Sequence, residues 1–323
     1  MSRGNNSRIP RAIASACAVV LLATGCSGGD SDTDADDGGS DTTAERPIAE
    51  VTPLEGRPSA VTYGEDTLWV ADDERNLVLR LDPNDGRAKG DPIPVDPQPV
   101  AIDYGAGAIW VAHGGGTVTQ IVNGQVAATI PVGGTLVDVA VGVADVVVAD
   151  IAAGTVRRID PVTGALGEPI VVPGGVVRLA LVGGYVWVTN QENTLTLIDT
   201  SSRTIAKQVQ VGNGPIGLAD TDGVVWVANS DDNTVSRIDA PSVTLLDHKP
   251  VGKAPVAVAG GSGTVWIANQ DDETLTILEA PDGRAEGRAV SLGLRPRDLV
   301  ATPAGTWAVG VEPSGAALVR APR

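Results

Sequence analysis

Seven copies of one short phrase, spaced about 40 residues apart, constrain this chain of 323 residues more than any other feature. The phrase is Leu-Trp-Val-Ala-Asp ending at Asp72. It returns in variants ending at His113, Asp150, Asn190, Asn229, Asn269 and Gly310. Its tryptophan position is Trp69, Trp110, Val147, Trp187, Trp226, Trp266 and Trp307, with gaps of 41, 37, 40, 39, 40 and 41 residues. Strand-like units at such a period predict a propeller, each repeat making one blade.

The fifth repeat shows the unit. Residues 215–219 read as a first strand, 224–229 as a second, 234–239 as a third and 245–251 as a fourth. Gly, Asn and Asp turns separate them, which predicts an antiparallel four-stranded meander. The second strands are nearly all apolar, whereas a sheet with one wet face alternates, so each blade is expected to be covered on both faces. The chain has no Phe and three Tyr, so six Trp at one repeat position read as inter-blade core. Between third and fourth strands, Asp82-Pro83-Asn84-Asp85-Gly86 and Asp160-Pro161-Val162-Thr163-Gly164 are turn sequences. There Asp caps backbone amides, Pro presets φ and Gly tolerates the left-handed position. Asp199, Asp239 and Glu279 sit at the equivalent point and read as turn carboxylates.

The seventh repeat has three strands, over 298–304, 307–311 and 316–321, and then the chain stops. Residues 46–51 (Arg-Pro-Ile-Ala-Glu-Val) match 90–95 (Gly-Asp-Pro-Ile-Pro-Val), read as the fourth strand of blade one. The fold class is therefore all-β: a seven-bladed propeller of four-stranded antiparallel blades, closed by an N-terminal strand at about 47–53. Closure of this kind removes two exposed edges.

Residues 1–25 read as a targeting segment. Arg3, Arg8 and Arg11 precede an apolar run over 12–24 that is too short to span a bilayer. The following Leu22-Ala23-Thr24-Gly25-Cys26 resembles a bacterial lipoprotein signal, which implies lipidation of Cys26 and display on the outer face of the cytoplasmic membrane. Residues 26–45 hold seven acidic residues among Gly, Ser and Thr, a composition of solvated tethers. The propeller is assigned to 46–323.

With 23 basic and 40 acidic residues the chain carries −17, which excludes the basic footprint that nucleic-acid binding needs. Cys17 and Cys26 are the only cysteines, and Cys17 falls in the targeting segment, so no disulfide is expected.

The phrases Trp187-Val188-Thr189-Asn190 and Trp226-Val227-Ala228-Asn229, the latter continuing to Asp239, resemble the YVTN family of β-propeller repeats over roughly 56–323. Related propellers include exported binding or scaffold proteins, receptor-kinase sensor domains and the streptogramin (virginiamycin B) lyases. Likeness to the lyases would imply a divalent metal with catalytic His and Glu at the central mouth. This chain has His113 at the end of a second strand and His248 on an outer fourth strand, so that set cannot assemble. No metal or other cofactor is expected.

Two groups of candidate site residues remain. Asp72, His113, Asp150, Asn190, Asn229 and Asn269 mark a ligand-binding face, where the turn-capping habit of Asn and Asp is the competing role. The loops beyond them vary, and variable loops on a rigid scaffold carry recognition. Asp138, Arg178 and Asp298 occupy a channel position that is otherwise Ala or Gly, with Asp138 and Arg178 expected to pair across adjacent blades. The sequence reads as a lipid-anchored binding or scaffold module for a protein, glycan or small ligand, touching the membrane only through its lipid. The alternative is a lyase or hydrolase working from the mouth.

Overall fold

The computed structural model describes residues 50–261, 263–312 and 315–321. The expected signal segment, Cys26, the acidic tether and residues 47–49 of the expected closing strand lie outside them.

Seven antiparallel sheets form the described chain, each a meander from an inner first strand to an outer fourth. Blade five runs through Pro215–Thr221, Val224–Asn229, Thr234–Asp239 and Thr244–Pro250. The second strands Thr67–Asp72, Ala108–His113 and Val224–Asn229 are buried at every position. Seven apolar clusters explain why, because each joins one blade to the next around the ring. Trp226 packs among Val258, Val265 and Ile267 of blade six, and Trp307 among Val61, Leu68 and Leu81 of blade one. Val147 takes the same place between blades three and four. The Trp residues are core, as their scarcity and spacing implied.

Blade seven closes with the N-terminal strand. Glu50–Leu54 pairs antiparallel with Gly315–Ala321, Glu50 opposite Arg320 and Leu54 opposite Ala316. Two fourth strands are short, and that of blade one is shorter than the 90–95 that the sequence suggested. In blade one only Ile93–Pro94 pairs, and in blade three only Ile170–Val171. Pro92 has no N–H to donate, so the ladder breaks there, while Pro94 stays inside it opposite Leu77. In blade six the outer edge is split into Arg284–Ala285 and Val290–Ser291.

The connections sort onto two faces. Loops from second to third strands meet the loops leading into first strands: the Asp73 amide donates to the Arg57 carbonyl and the Ser230 amide to that of Gly214. Turns from first to second and from third to fourth strands lie on the opposite face. The start of the closing strand lies there too, since Glu50 is beside Arg320 and Ala321 beside Thr306.

Candidate functional site

The structure buries five of the six strand-end residues and leaves Asp150 half-buried. Asn190, Asn229, Asn269 and His113 are fully buried, and each reaches a hydroxyl on the third strand of its own blade. Asn229 Nδ2 donates to Thr234 and Ser236 Oγ at 2.9 and 2.8 Å, and Asn269 Nδ2 to Thr274 and Thr276 at 3.1 and 2.9 Å. Asn190 Nδ2 donates to Thr194, to Thr196 at 3.5 Å and to the Pro173 carbonyl at 3.0 Å. His113 Nε2 lies 2.9 Å from Thr119 Oγ1. Burial lowers the His113 pKa, against the charge of Asp96, so the ring is neutral at pH 7.

In blades one and three that position is Leu79 and Arg157 instead of a hydroxyl, and the strand end is Asp. Asp72 accepts the amides of Arg57, Glu74 and Arg75 at 3.0–3.1 Å and the Arg75 Nε at 2.7 Å. Burial pushes its pKa up, but those hydrogen bonds and the Arg75 charge outweigh it and hold the carboxyl below its usual value. Asp150 accepts the amides of Thr135, Ala152 and Ala153. Acceptor-only Asp faces amides, which is the chemistry of turn capping, whereas donor-bearing Asn or His faces a hydroxyl of its own third strand. The solvent-facing groups on this side are instead in the loops, with Glu74, Glu192 and Asp231 among the exposed residues.

The channel is a cavity of about 380 Å³ walled by the first strands. Each first strand is the inner edge of its blade, so one row of its amides lacks a strand partner. Three carboxylates supply partners across blade boundaries. Asp298 takes the Val61 amide at 2.9 Å, closing blade seven onto blade one. Asp138 takes that of Leu179 at 2.7 Å, and Asp103 that of Val141 at 2.7 Å. Each also accepts the amide of its following residue.

The expected contact between Asp138 and Arg178 is not made as an ion pair. The guanidinium donates to the carbonyls of Val137 and Val177 at 3.2 and 3.3 Å. The reason is register: Asp138 faces the neighbouring backbone amide, while the longer Arg178 reaches back over the blade edge to a carbonyl. Its charge is still felt, lowering the pKa of Asp138 and Asp298 against larger increases from burial.

Asp103 was not among the sequence candidates. It stands two residues beyond Ala101, where the other repeats carry Thr62, Ala140, Ala180, Ala219, Ala259 and Val300. A lone acid in that column is the signal that points to it. Burial and the charge of Asp138 push its carboxyl up to about 7, against its amide partners and Thr62, while burial brings Asp298 to about 6. Between the ordinary carboxylate value near 4 and these values, the folded chain binds more protons than the unfolded chain. Stability therefore falls as pH rises from about 4 to 7. Urea midpoints at pH 4.5 and 7.5 are expected to show this fall, and Asp103→Asn to flatten it. Asp199 and Asp247, held near 2, act below that window with opposite sign.

Among the described residues no group of three or more His, Cys, Asp or Glu is arranged to hold a metal ion. His248 is far from this channel in the fold, on the outer strand of blade five, with Nδ1 3.0 Å from Ser236 Oγ.

No protein-family model matches this sequence, and no curated protein does. Among solved structures the chain is similar to virginiamycin B lyase from Staphylococcus aureus, at 16% identity and TM-score 0.72, covering 85% of this chain and 100% of that one. A streptogramin B lyase matches at 15% identity and TM-score 0.72, over 84% and 96%. Hydrazine synthase from Kuenenia stuttgartiensis matches at 15% identity and TM-score 0.67, over 88% and 99%. At such identities the likeness is one of fold, and propellers serve unrelated activities.

Proposed function

We propose that this chain is a lipid-anchored, extracytoplasmic propeller that works as a non-catalytic binding or scaffold module, recognising its ligand through the loops between second and third strands. One observation carries the reading: the polar side chains at the strand ends, His113 included, are tied into their own blades, so the loops hold the chemistry that faces solvent. Loops such as Asp72-Asp73-Glu74-Arg75, His113-Gly114-Gly115-Gly116 and Ser230-Asp231-Asp232-Asn233 differ from blade to blade, on strands that repeat closely. A rigid ring bearing variable loops is a recognition scaffold. The closing strand begins on the opposite face, a polarity that suits a tethered head presenting its loops away from the membrane.

The test is retention of a partner by the lipoprotein purified in detergent from its own cells. A component that stays with the wild type is expected to be lost from a Glu74→Arg, Glu192→Arg, Asp231→Arg variant and kept by Arg178→Ala. Loss from Arg178→Ala alone would move recognition into the channel.

A further inference from the structure

In each blade one residue of the third strand stands opposite the tryptophan position and shares its face, which is turned to the next blade. In five blades it is long and polar: Arg80, Gln120, Arg158, Arg237 and Arg320. In blades four and six it is Leu197 and Ile277. The long side chains can bridge blades. Gln120 Nε2 donates to the Pro161 carbonyl at 3.2 Å, Arg320 Nη1 to that of Asn84 at 2.6 Å, and Arg237 to that of Pro281. The Arg237 guanidinium stands 5.7 Å over the Trp226 ring and is held by two 2.7 Å hydrogen bonds to Asp247.

Leu197 and Ile277 are shorter and carry no donor, and a cleft remains at each. The cleft beside Ile277 includes Glu286, which is already engaged. The one beside Leu197, between blades four and five, has a volume of about 410 Å³, within the usual range for small-ligand sites. Trp187 and Leu197, both buried, form its apolar floor, while Tyr185, 39% exposed, and Asp220 stand at its rim. Asp220 lies opposite Val225, which packs with Trp187, so it is on the face turned to blade four. Its carboxylate has no donor among the described residues; desolvation by the cleft wall and the like charge of Asp222 raise its pKa. Lys207, opposite Leu197 in the sheet, donates instead to the Ser242 carbonyl at 2.7 Å.

We infer that the cleft between blades four and five binds a small organic cation of the guanidinium class, its head on the Asp220 carboxylate and its apolar body over Leu197 and Trp187, against the Tyr185 ring. One junction on, Arg237 and Asp247 make the same recognition within the chain: a planar cation on a carboxylate, above a tryptophan. Between blades four and five the acid and the aromatic rings come without that arginine, because Leu197 stands in its place. A guanidinium from a ligand satisfies both, by charge-assisted hydrogen bonds and by its attraction to an aromatic face. The apolar floor selects a cation with an alkyl or aryl tail over a hydrated inorganic ion, which would lose its water there. Val182, Asp220 and Pro241 place the cleft on the face opposite the recognition loops, so the inference holds whatever ligand those loops take.

The experiment is fluorine NMR of the full chain labelled with 5-fluorotryptophan, titrated with butylguanidinium and, in parallel, with its uncharged isostere butylurea. Trp187→Phe assigns the resonance. Butylguanidinium is expected to shift the Trp187 resonance saturably while that of Trp226 stays in place, and butylurea to leave both unmoved. Asp220→Asn should weaken the binding about fivefold, the upper range for an exposed ion pair. Leu197→Arg, which supplies the missing guanidinium from within, should abolish it with the other tryptophan resonances unchanged. No saturable shift, a shift that butylurea reproduces, or an affinity that either variant leaves unchanged would overturn the inference.

Discussion

Deleting residues 46–54 is expected to lower stability by about 3–6 kcal/mol, the scale of a short ladder of hydrogen bonds at roughly 1 kcal/mol each plus one packed side chain. The strand Glu50–Leu54 pairs over its whole length with Gly315–Ala321, and Leu54 packs against the cluster that joins blades seven and one. Without it the third strand of blade seven becomes an exposed edge. Edge strands of this sort recruit other chains, so aggregation on heating should accompany the lower urea midpoint. An unchanged midpoint and reversible melting would mean that the ring is held by its inter-blade clusters alone.

Trp226→Ala is expected to cost about 3–5 kcal/mol, the range for emptying a large buried site. Trp226 is fully buried between blades five and six, and the guanidinium of Arg237 lies over its ring. That guanidinium is itself fixed by two 2.7 Å hydrogen bonds to Asp247, so it cannot collapse into the void. A companion variant separates volume from polarity. The Trp226 Nε1 has no hydrogen-bond partner among the described residues, whereas that of Trp307 donates to Pro83. Trp226→Phe should therefore cost clearly less than Trp307→Phe, which strands the Pro83 carbonyl. Urea unfolding of the four proteins checks both statements.

Sequence alone carried the fold far because a propeller repeats one solution. The seven second strands, the Trp that wedges six of the seven pairs of blades and the Asp82 and Asp160 turns are local patterns, each legible at its own position. The closing strand was legible as a missing piece, since the seventh repeat shows three strands and residues 46–51 match the fourth strand of blade one. The site was less legible, because its residues act between blades. Asn229 and Asn269 look alike as ligands or as caps until the hydroxyls of Ser236 and Thr276 are seen beside them. Asp138 and Arg178 are adjacent in the repeat alignment, but whether two side chains meet or each takes a backbone group depends on ångström-scale offsets between first strands. Asp103 needed a column of small residues to be compared across repeats. The outer strand of blade one misled, because Pro92 ends a ladder that Ile93 would favour.

The central claim is that recognition belongs to the loop face, and photocrosslinking in intact cells tests it most directly. Position 113 is enclosed, so the probe belongs at Asp231, exposed on the loop face, with Glu65 on the opposite face as its control. The account predicts a discrete adduct from position 231 and none from position 65. An adduct from position 65 only, or none from either in cells where the propeller is folded and exported, would contradict it.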